Sequence, residues 1–378
     1  MVKVLIYLPK EISHSSYIHT GLFELEKKGL IECNFSIRFK NETGRISVLN
    51  GMDSAPNIPQ PKTTFYKLID KKSNRQFTFA IDLYDIPYYY STLALKQCDY
   101  VFKRSFSQYY TSKLPEKYRK KVYPLGITFK VSRPKYIKST MIEFGSIILN
   151  IFQNFKLDSQ IFERLSNIIR SNKLEYRELK STPSLKDYDQ FNFLTENKIF
   201  YQKRFFPEEP THDIKNVHQQ RFNFVKSLME SFGEKKYIGG LVPCEITKER
   251  YPGYLTKLPV DQREYVNIMK KTRIVIYTRG LSNSIGWTLP EYLAAGKVIL
   301  AEKFDIVLPN ELMDGKHLLF FEDVNDCIEK AKILIKDEKK CAMLRKNARS
   351  YYEEYIHPIP NTKRILEFML KKKLGPIL

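Results

Sequence analysis

The feature that most constrains the fold of this chain is the alternation of short apolar runs with longer amphipathic stretches. An apolar run at residues 2–8 precedes a helical pattern at 17–28, in which Ile18, Leu22 and Leu25 recur on one face. Further strands are predicted at residues 77–83, 100–103, 198–204, 236–239, 273–278, 297–301 and 318–321. This alternation is typical of βαβ units with a mostly parallel sheet. The sequence therefore predicts an α/β fold.

The length of 378 residues favours two domains. We expect an N-terminal Rossmann-like domain at 1–138, a helical linker at 139–192 and a C-terminal Rossmann-like domain at 193–357. A basic helix is predicted at 358–378, and residues 41–64, which are rich in Gly, Pro and Asn, are expected to be irregular.

Composition excludes several classes of protein. The hydrophobic fraction of 43% rules out disorder for most of the chain. The five cysteines are scattered without a Cys-x-x-Cys spacing, which argues against a zinc cluster or a disulfide framework and fits a cytoplasmic protein. Residues 1–8 are too short for a signal-peptide core, and the longest apolar run, at 145–152, is too short to span a bilayer.

The net charge of +21 points to an anionic partner, which is nucleic acid, an anionic membrane surface or a phosphorylated substrate. Residues 101–138 contain eleven basic residues and a single acid, Glu116. A solvated surface that keeps the protein in solution is the simpler explanation. Such a dense cluster of one sign costs self-repulsion, however, which favours a partner for it.

The segment with most potential for chemistry is 277–297, which reads as a strand, a loop of small residues, a short helix, a glycine and another strand. A helix start offers backbone N–H groups to a phosphate. Arg279 would stand where the strand ends, and Gly286 allows close approach of a ligand. The candidate ligand-binding residues of the loop and helix start are Asn283, Ser284, Gly286, Trp287 and Thr288.

Glu291 in this segment has two interpretations. Its spacing from Thr288 fits a capping box, in which the carboxylate satisfies the helix start. Alternatively, its two oxygens bind hydroxyl groups of a ligand. Trp287, the single tryptophan, is equally compatible with a role in the core.

The stretch 282–296, with Glu291 followed by Ala294-Ala295-Gly296-Lys297, resembles the nucleotide-binding segment of GT-B glycosyltransferases, and the similarity extends over about 199–358. The resemblance implies two Rossmann-like domains with a cleft between them and a last helix that returns to the first domain. It implies a nucleoside-diphosphate sugar donor, with Glu291 on the ribose hydroxyls. It also implies that neither a metal nor another cofactor is needed.

Two details qualify the resemblance. Asn283 stands eight residues before Glu291, where the retaining enzymes carry another glutamate, so the stereochemical course stays open. The pattern Arg279-Gly280-Leu281, followed by Ser284-Ile285-Gly286-Trp287, is more similar to enzymes of bacterial capsule and surface-polysaccharide assembly. A surface-glycan or lipid-linked glycan acceptor is therefore expected.

Lys203 and Arg204 end the strand predicted at 198–204. The resemblance implies that basic residues here clamp the donor diphosphate. Arg204 is preferred because its planar guanidinium suits phosphate. Two solvated basic residues at a strand end are the alternative.

In the first domain, Asp82 and Asp85 follow one predicted strand, and Lys103 and Arg104 follow another. Asp85 is a candidate base toward an acceptor hydroxyl, and the two basic residues suit a phosphate of the donor or acceptor. Salt bridges between the two pairs are an equally good explanation. His14, expected to be exposed in a polar loop, is a second candidate base or an ordinary surface residue.

These observations predict a metal-independent glycosyltransferase for a capsule, O-antigen, lipopolysaccharide or similar surface glycan. Residues 101–138 and Lys371–Lys373 are expected to contact the inner, anionic face of a membrane. One alternative is a nucleotide-sugar epimerase of the same fold. The other is a nucleic-acid-binding protein, which charge alone supports, so we expect no nucleic-acid partner.

Overall fold

The structure is a computed structural model, which describes residues 2–37, 44–56, 58, 62–132, 136–154, 160–191 and 194–376. The described chain forms two compact units. Unit 1 comprises Met1–Leu185, Val307–Pro309 and Ile356–Leu378, and unit 2 comprises Lys186–Ile306 and Asn310–Tyr355. Two residues of the basic segment, Arg133 and Lys135, lie outside the described residues, as does the predicted boundary at 192/193.

Unit 1 is built on strands that pair into two sheets. The strands are β1 (Val2–Tyr7), β2 (Glu32–Ser36), β3 (Arg45–Ser47), β4 (Asp53–Ala55), β5 (Thr63–Asp70), β6 (Arg75–Asp82), β7 (Tyr89–Ser91), β8 (Tyr100–Lys103) and β9 (Val122–Pro124). The helices are α1 (Ile12–Lys27), α2 (Thr92–Gln97), α3 (Gln108–Ser112), α4 (Glu116–Arg119), α5 (Ile137–Asn154), α6 (Ile161–Ser181) and, near the end of the chain, α14 (Pro358–Leu370).

The larger sheet of unit 1 has the strand order β2-β1-β5-β6-β8-β9 within the described ranges. Its strands are parallel except β5, which is antiparallel to both neighbours. A small antiparallel sheet has the order β4-β3-β7. The prediction of an irregular segment at 41–64 is therefore wrong for β3 and β4. Three-residue strands are too short for a detectable alternation of apolar residues, so their pairing gave no signal.

Unit 2 contains β10 (Glu196–Lys203), β11 (Tyr237–Leu241), β12 (Thr272–Tyr277), β13 (Val298–Glu302) and β14 (Leu319–Phe321). Its helices are α8 (His212–Lys236), α9 (Glu245–Arg250), α10 (Gln262–Lys271), α11 (Thr288–Ala294), α12 (Val324–Lys336) and α13 (Glu338–Tyr351), while α7 (Leu185–Asp189) begins at the last residue of unit 1. A short π-helical segment, Tyr352–Ile356, follows α13.

The sheet of unit 2 is parallel throughout the described residues, in the order β11-β10-β12-β13-β14. Its central strands are covered on both faces, which explains their nearly continuous apolar sequences. Ile274, Ile276, Val298 and Leu300 are completely buried there. The predicted fold class, two Rossmann-like α/β domains, is confirmed.

The last helix, α14, belongs to unit 1, where it packs closely on α1. A Cβ atom on Gly21 would lie 2.1 Å from Thr362 Oγ1, so only glycine permits this approach. Asn361 Nδ2 donates a 3.0 Å hydrogen bond to the hydroxyl of Tyr17. The chain thus returns to unit 1 after completing unit 2.

Helices α5 and α6 also belong to unit 1 and pack against each other and against α1. Glu175 on α6 accepts a 2.6 Å hydrogen bond from the Ser13 amide, and Glu178 forms an ion pair with Lys130. Among the described residues, no helix combines the length and the hydropathy needed to cross a membrane.

Candidate functional site

The carboxyl ends of the strands in unit 2 meet at one edge of the sheet, because all of them run in the same direction. Lys203 is the last residue of β10, Glu302 is the last residue of β13, and Arg279 follows the end of β12. Ligands of open α/β sheets bind outside this edge.

Lys203 is a buried cation at that edge. Its side chain is surrounded by aromatic rings, with Nζ 5.3 Å from the ring centroid of Tyr201 and 6.0 Å from that of Tyr277. Its ammonium has no hydrogen bond or ion pair among the described residues. Burial, helped by the positive charge of Arg221, lowers the pKa of Lys203 to about 7. A bound anion would therefore stabilise its charged form.

Arg204, which the sequence analysis preferred to Lys203 as the diphosphate-binding residue, has an exposed side chain. It lies one residue beyond Lys203, on the opposite side of the extended chain. Among the described residues, its guanidinium reaches only the carbonyl of Val260, at 3.5 Å. In this conformation Arg204 is a solvated strand-end residue, and Lys203 is the one turned inward.

The loop after Lys203 is held by α8. His218 Nε2 accepts a 2.8 Å hydrogen bond from the Phe206 amide, and His218 Nδ1 donates one of 2.6 Å to Glu209. This arrangement requires the neutral tautomer, and burial lowers the pKa of His218 in agreement with it. Arg221 donates to the carbonyl of Arg204.

The positive charge of Arg279 is balanced by two carboxylates. Its guanidinium lies 2.7 Å from Asp213 Oδ1 and 3.9 Å from Glu302 Oε1, and its amide donates to Glu302 Oε2. Asp213 also accepts a 2.9 Å hydrogen bond from the Ser282 amide. Arg279 therefore anchors the loop after β12, and the positive charge that it would offer a ligand is largely compensated.

The loop itself has an unusual backbone. Ser282 and Asn283 adopt left-handed conformations, with φ of 52° and 59°, and the exposed Asn283 side chain donates to Asp305. The Ser284 amide donates to the carbonyl of Leu281. The Gly286 amide donates a 2.9 Å hydrogen bond to the Tyr277 hydroxyl. Two of the amides predicted to bind phosphate are thus engaged within the protein.

Glu291 does not cap its helix. The N-cap of α11 is the half-buried Trp287, without a side-chain capping bond, and Thr288 opens the helix. The Glu291 carboxylate is only 3% exposed, and its Oε1 accepts hydrogen bonds from Gln262 Nε2 at 3.0 Å and the Tyr188 hydroxyl at 3.3 Å. Burial raises the pKa of Glu291 to about 7, although these bonds and Lys203 oppose the increase.

Tyr188 and Gln262 were not identified from the sequence, and Tyr188 is 103 residues from Glu291 along the chain. Tyr188 is held in place by Arg349. The guanidinium of Arg349 donates to the carbonyls of Tyr188 at 2.9 Å, Asp189 at 3.1 Å and Ala294 at 2.6 Å. It thereby joins α7 to the end of α11.

The candidates in unit 1 form the salt bridges that the sequence analysis considered. Lys103 Nζ lies 3.0 Å from Asp82 Oδ2 and donates a 2.8 Å hydrogen bond to the Tyr89 carbonyl, and both members of the pair are buried. Arg104 forms an ion pair with Asp85, whose side chain is 43% exposed. The second pair is therefore the one that solvent can reach.

The expectation that His14 is exposed is wrong, since its side chain is 15% exposed. His14 Nδ1 lies 2.8 Å from Glu11 Oε2, because both residues lie at the start of α1. Burial raises the pKa of Glu11, but the hydrogen bond from His14 and the nearby lysines outweigh burial and lower it overall. His14 is thus half of an acid–base pair.

The described part of the basic segment 101–138 contains both paired and exposed basic residues. Several of its members are paired with acids, namely Lys103, Arg104, Lys120, Lys130 and Lys138. Lys113, Lys117 and Arg119 are exposed. The excess of positive charge in this segment is therefore smaller on the surface than in the sequence.

One family model matches part of the chain. Residues 221–366 match the model of the family described as glycosyl transferase-like, which is less than half of the chain. No curated protein matches the sequence. Within the described residues, no three His, Cys, Asp or Glu side chains are grouped to hold a metal ion.

Several solved structures are similar in part. The crystal structure of TarM has 18% identity and a TM-score of 0.34, covering 48% of this chain and 35% of TarM. HepE from Anabaena, in complex with UDP and glucose, has 12% identity and a TM-score of 0.38, covering 74% of this chain and 64% of HepE. UDP-GlcNAc 2-epimerase from Neisseria meningitidis has 14% identity and a TM-score of 0.35, covering 75% and 64%. The chain spans about a third of the length of TarM.

Proposed function

We propose that this chain, whose residues 221–366 match the model of the glycosyl transferase-like family, transfers a sugar from a nucleoside diphosphate to a glycan acceptor. The observation that carries the proposal is the presence in unit 2 of a buried carboxylate, Glu291, and a buried ammonium, Lys203, that are not bonded to each other. Each influences the ionisation of the other, so they lie within electrostatic range. A nucleotide sugar offers hydroxyls to the first and a diphosphate to the second.

Glu291 is the proposed ribose-binding residue. Both described hydrogen bonds of Glu291 are accepted by Oε1. The two hydroxyls of a vicinal diol can therefore donate to the carboxylate without displacing both Tyr188 and Gln262. The ionised form accepts such bonds most strongly, so ligand binding would lower its raised pKa. Tyr188 and Gln262 hold the carboxylate in position for this.

Lys203 is the proposed diphosphate-binding residue. When the bond from the sugar to the diphosphate breaks, negative charge develops on the leaving group, and a pre-positioned cation stabilises that charge. The ammonium is already desolvated, so little reorganisation is needed when the charge appears. No metal ion is required in this scheme. Arg204, Arg279, Ser284, Gly286 and Thr288 remain proposed secondary contacts of the donor.

The acceptor is proposed to bind unit 1. Asp85, the exposed member of its pair with Arg104, and His14, paired with Glu11, are the groups able to take a proton from an acceptor hydroxyl. A capsule, O-antigen or lipopolysaccharide-type glycan carried on a lipid is the proposed acceptor class. The protein would then work in the cytoplasm and bind peripherally to the inner, anionic membrane face.

The test is calorimetric titration of the protein with UDP-, GDP-, ADP- and CMP-sugars in the presence of EDTA. One nucleotide is expected to bind the wild type and to bind Glu291→Ala at least about tenfold more weakly, the loss of a charge-assisted hydrogen bond. Glu329→Ala, a change at an exposed carboxylate of α12, is the matched control. Absence of binding by every nucleotide, or equal binding by Glu291→Ala, would contradict the donor site.

Product analysis separates transfer from epimerisation. After incubation with the bound nucleotide sugar and a lipid-linked glycan, transfer yields free nucleoside diphosphate and a lengthened glycan. Conversion of the nucleotide sugar into its epimer without an acceptor would instead identify an epimerase and overturn the proposal.

A further inference from the structure

The outer face of α5 is apolar and has no cover among the described residues. Ile137, Met141, Phe144, Ile148 and Phe152 recur every three to four residues over the length of the helix. They are 82%, 50%, 66%, 37% and 72% exposed. These spacings place the five side chains in one stripe, which we call the α5 stripe.

The opposite face of α5 is the one that packs on unit 1. Ile142 is 1% exposed and Ser146 is fully buried, and a Cβ atom on Gly145 would lie 3.1 Å from Leu8. The orientation of α5 is therefore fixed by its inner face. The α5 stripe points outward as a consequence, and five large apolar side chains in contact with water mark an interaction surface.

The neighbouring helix α6 adds both apolar and basic groups. Phe162, Ile169 and Tyr176 are 83%, 59% and 58% exposed, and their seven-residue spacing places them on one side of the helix. Helical geometry places three exposed basic residues, Arg170, Lys173 and Arg177, beside these apolar side chains. None of the three forms an ion pair with a described residue. The acids Glu175 and Glu178 are instead engaged with Ser13 and Lys130 of unit 1.

We propose that the exposed faces of α5 and α6 form a docking surface for an anionic lipid bilayer. The α5 stripe enters the boundary between headgroups and acyl chains, where aromatic side chains such as Phe144 and Phe152 are favoured. Arg170, Lys173 and Arg177 contact the lipid phosphates. Neither helix crosses the bilayer, in agreement with their hydropathy.

The charge on α6 distinguishes the bilayer from a second copy of this chain. A two-fold symmetric contact brings the same patch of each copy together. The same patch of a second copy carries the same three basic residues, and because Glu175 and Glu178 are engaged in unit 1, the exposed Glu163 is the one remaining acid of the helix. An anionic membrane neutralises the three charges, and a second copy does not.

The docking surface is the place where the membrane contact of the proposed function would be made. The inference rests on the proposed function for that contact alone. It replaces residues 101–138 as the main contact, because four of the basic groups there are paired with acids and, among the described residues, no apolar stripe lies beside the exposed ones. Failure of vesicle binding would leave the donor site intact, and failure of nucleotide binding would leave the docking surface intact.

The test is flotation of the full chain with vesicles of phosphatidylglycerol and phosphatidylcholine, or of phosphatidylcholine alone. The wild type is expected to float with the anionic vesicles and to be released by salt. The double variant Phe144→Ser/Phe152→Ser is expected to bind about a hundredfold more weakly, as is the triple variant Arg170→Gln/Lys173→Gln/Arg177→Gln. Ile333→Ser/Met343→Ser, which changes exposed apolar residues of unit 2, is expected to bind like the wild type.

Calorimetric donor binding by each variant verifies that unit 2 is intact, and the thermal unfolding transition verifies that unit 1 is folded. Wild-type vesicle binding by the α5 and α6 variants would overturn the proposal. So would a lipid-free dimer in sedimentation equilibrium that Phe144→Ser/Phe152→Ser converts to a monomer. Loss of vesicle binding only in Lys113→Gln/Lys117→Gln/Arg119→Gln would assign the contact to residues 101–138 instead.

Discussion

The side-chain amide of Gln262 donates a 3.0 Å hydrogen bond to Oε1 of Glu291, a carboxylate that is almost entirely buried. This bond supports the ionised form, whereas burial favours the protonated form. The balance leaves the carboxylate close to its titration midpoint at neutral pH. Its protonation state is therefore sensitive to small changes around it.

Replacement of Glu291 by Gln is expected to change the pH dependence of stability. The pKa of Glu291 is raised to about 7, so its contribution to stability is complete below the pKa of the unfolded chain and is lost as the pH rises through 7. Urea unfolding should show that Glu291→Gln gains up to about 3 kcal/mol relative to the wild type between pH 5 and pH 8. Glu329→Gln should show no such gain, and a pH-independent difference for Glu291→Gln would contradict the burial argument.

Lys203→Met is expected to reduce the preference for a nucleoside diphosphate over the nucleoside more strongly than any other single change of a donor contact. Because burial lowers the pKa of Lys203 to about 7, the ammonium is partly neutral above pH 7 and must take up a proton when the diphosphate binds. Calorimetry at pH 8 in buffers of different ionisation enthalpy should detect this uptake in the wild type and not in Lys203→Met.

Arg204→Met is the matched comparison, since its side chain is exposed one residue further on. We expect it to weaken diphosphate binding by less than about tenfold, the range of a solvated ion pair. A larger loss in Arg204→Met than in Lys203→Met would restore the interpretation based on the sequence.

Tyr188→Phe removes one of the two donors to Glu291 while preserving the ring. With one hydrogen bond fewer, the pKa of Glu291 should rise further, and the pH above which the donor binds tightly should rise with it. The measurement is the dissociation constant of the donor nucleotide between pH 5.5 and 8.5. Tyr90→Phe, which removes an equally buried hydroxyl bonded to Thr111 in unit 1, should leave the profile unchanged.

The buried pair of Lys103 and Asp82 is expected to stabilise unit 1. Lys103→Met leaves an unpaired carboxylate in the interior and should cost about 3–5 kcal/mol of unfolding free energy, whereas Lys103→Met/Asp82→Leu should recover much of that loss. Urea denaturation followed by circular dichroism provides the measurement. Normal stability of Lys103→Met combined with a lost response to phosphate would instead indicate a phosphate-binding lysine.

The strands were predictable where the sheet is parallel and buried on both faces. The apolar run at 100–103 coincides with β8, and the runs at 273–278 and 297–301 lie within one residue of β12 and β13. The strand β5 was missed, although its eight residues are mostly buried. It pairs in an antiparallel manner with β6, in a region where the parallel βαβ pattern gives no reason to expect a strand.

The site was only partly predictable, for a physical reason. Glu291 and Lys203 stand at positions that local sequence marks, a helix start and a strand end. Tyr188 and Gln262 reach Glu291 only after folding, and contacts over such sequence separations leave no local pattern. The capping interpretation of Glu291 is wrong because the carboxylate turns toward these two partners and not toward the amides of its own helix.

The anchoring of Tyr188 by Arg349 has a consequence for how the protein can be divided. The family match begins at residue 221, downstream of both Tyr188 and Lys203, and its last residues, 356–366, belong to unit 1. A fragment cut at those limits would carry Glu291 without its tyrosine partner and without the lysine. The smallest piece that retains every residue of the proposed donor site must include α7, so this short helix positions a partner of Glu291 as well as connecting two parts of the chain.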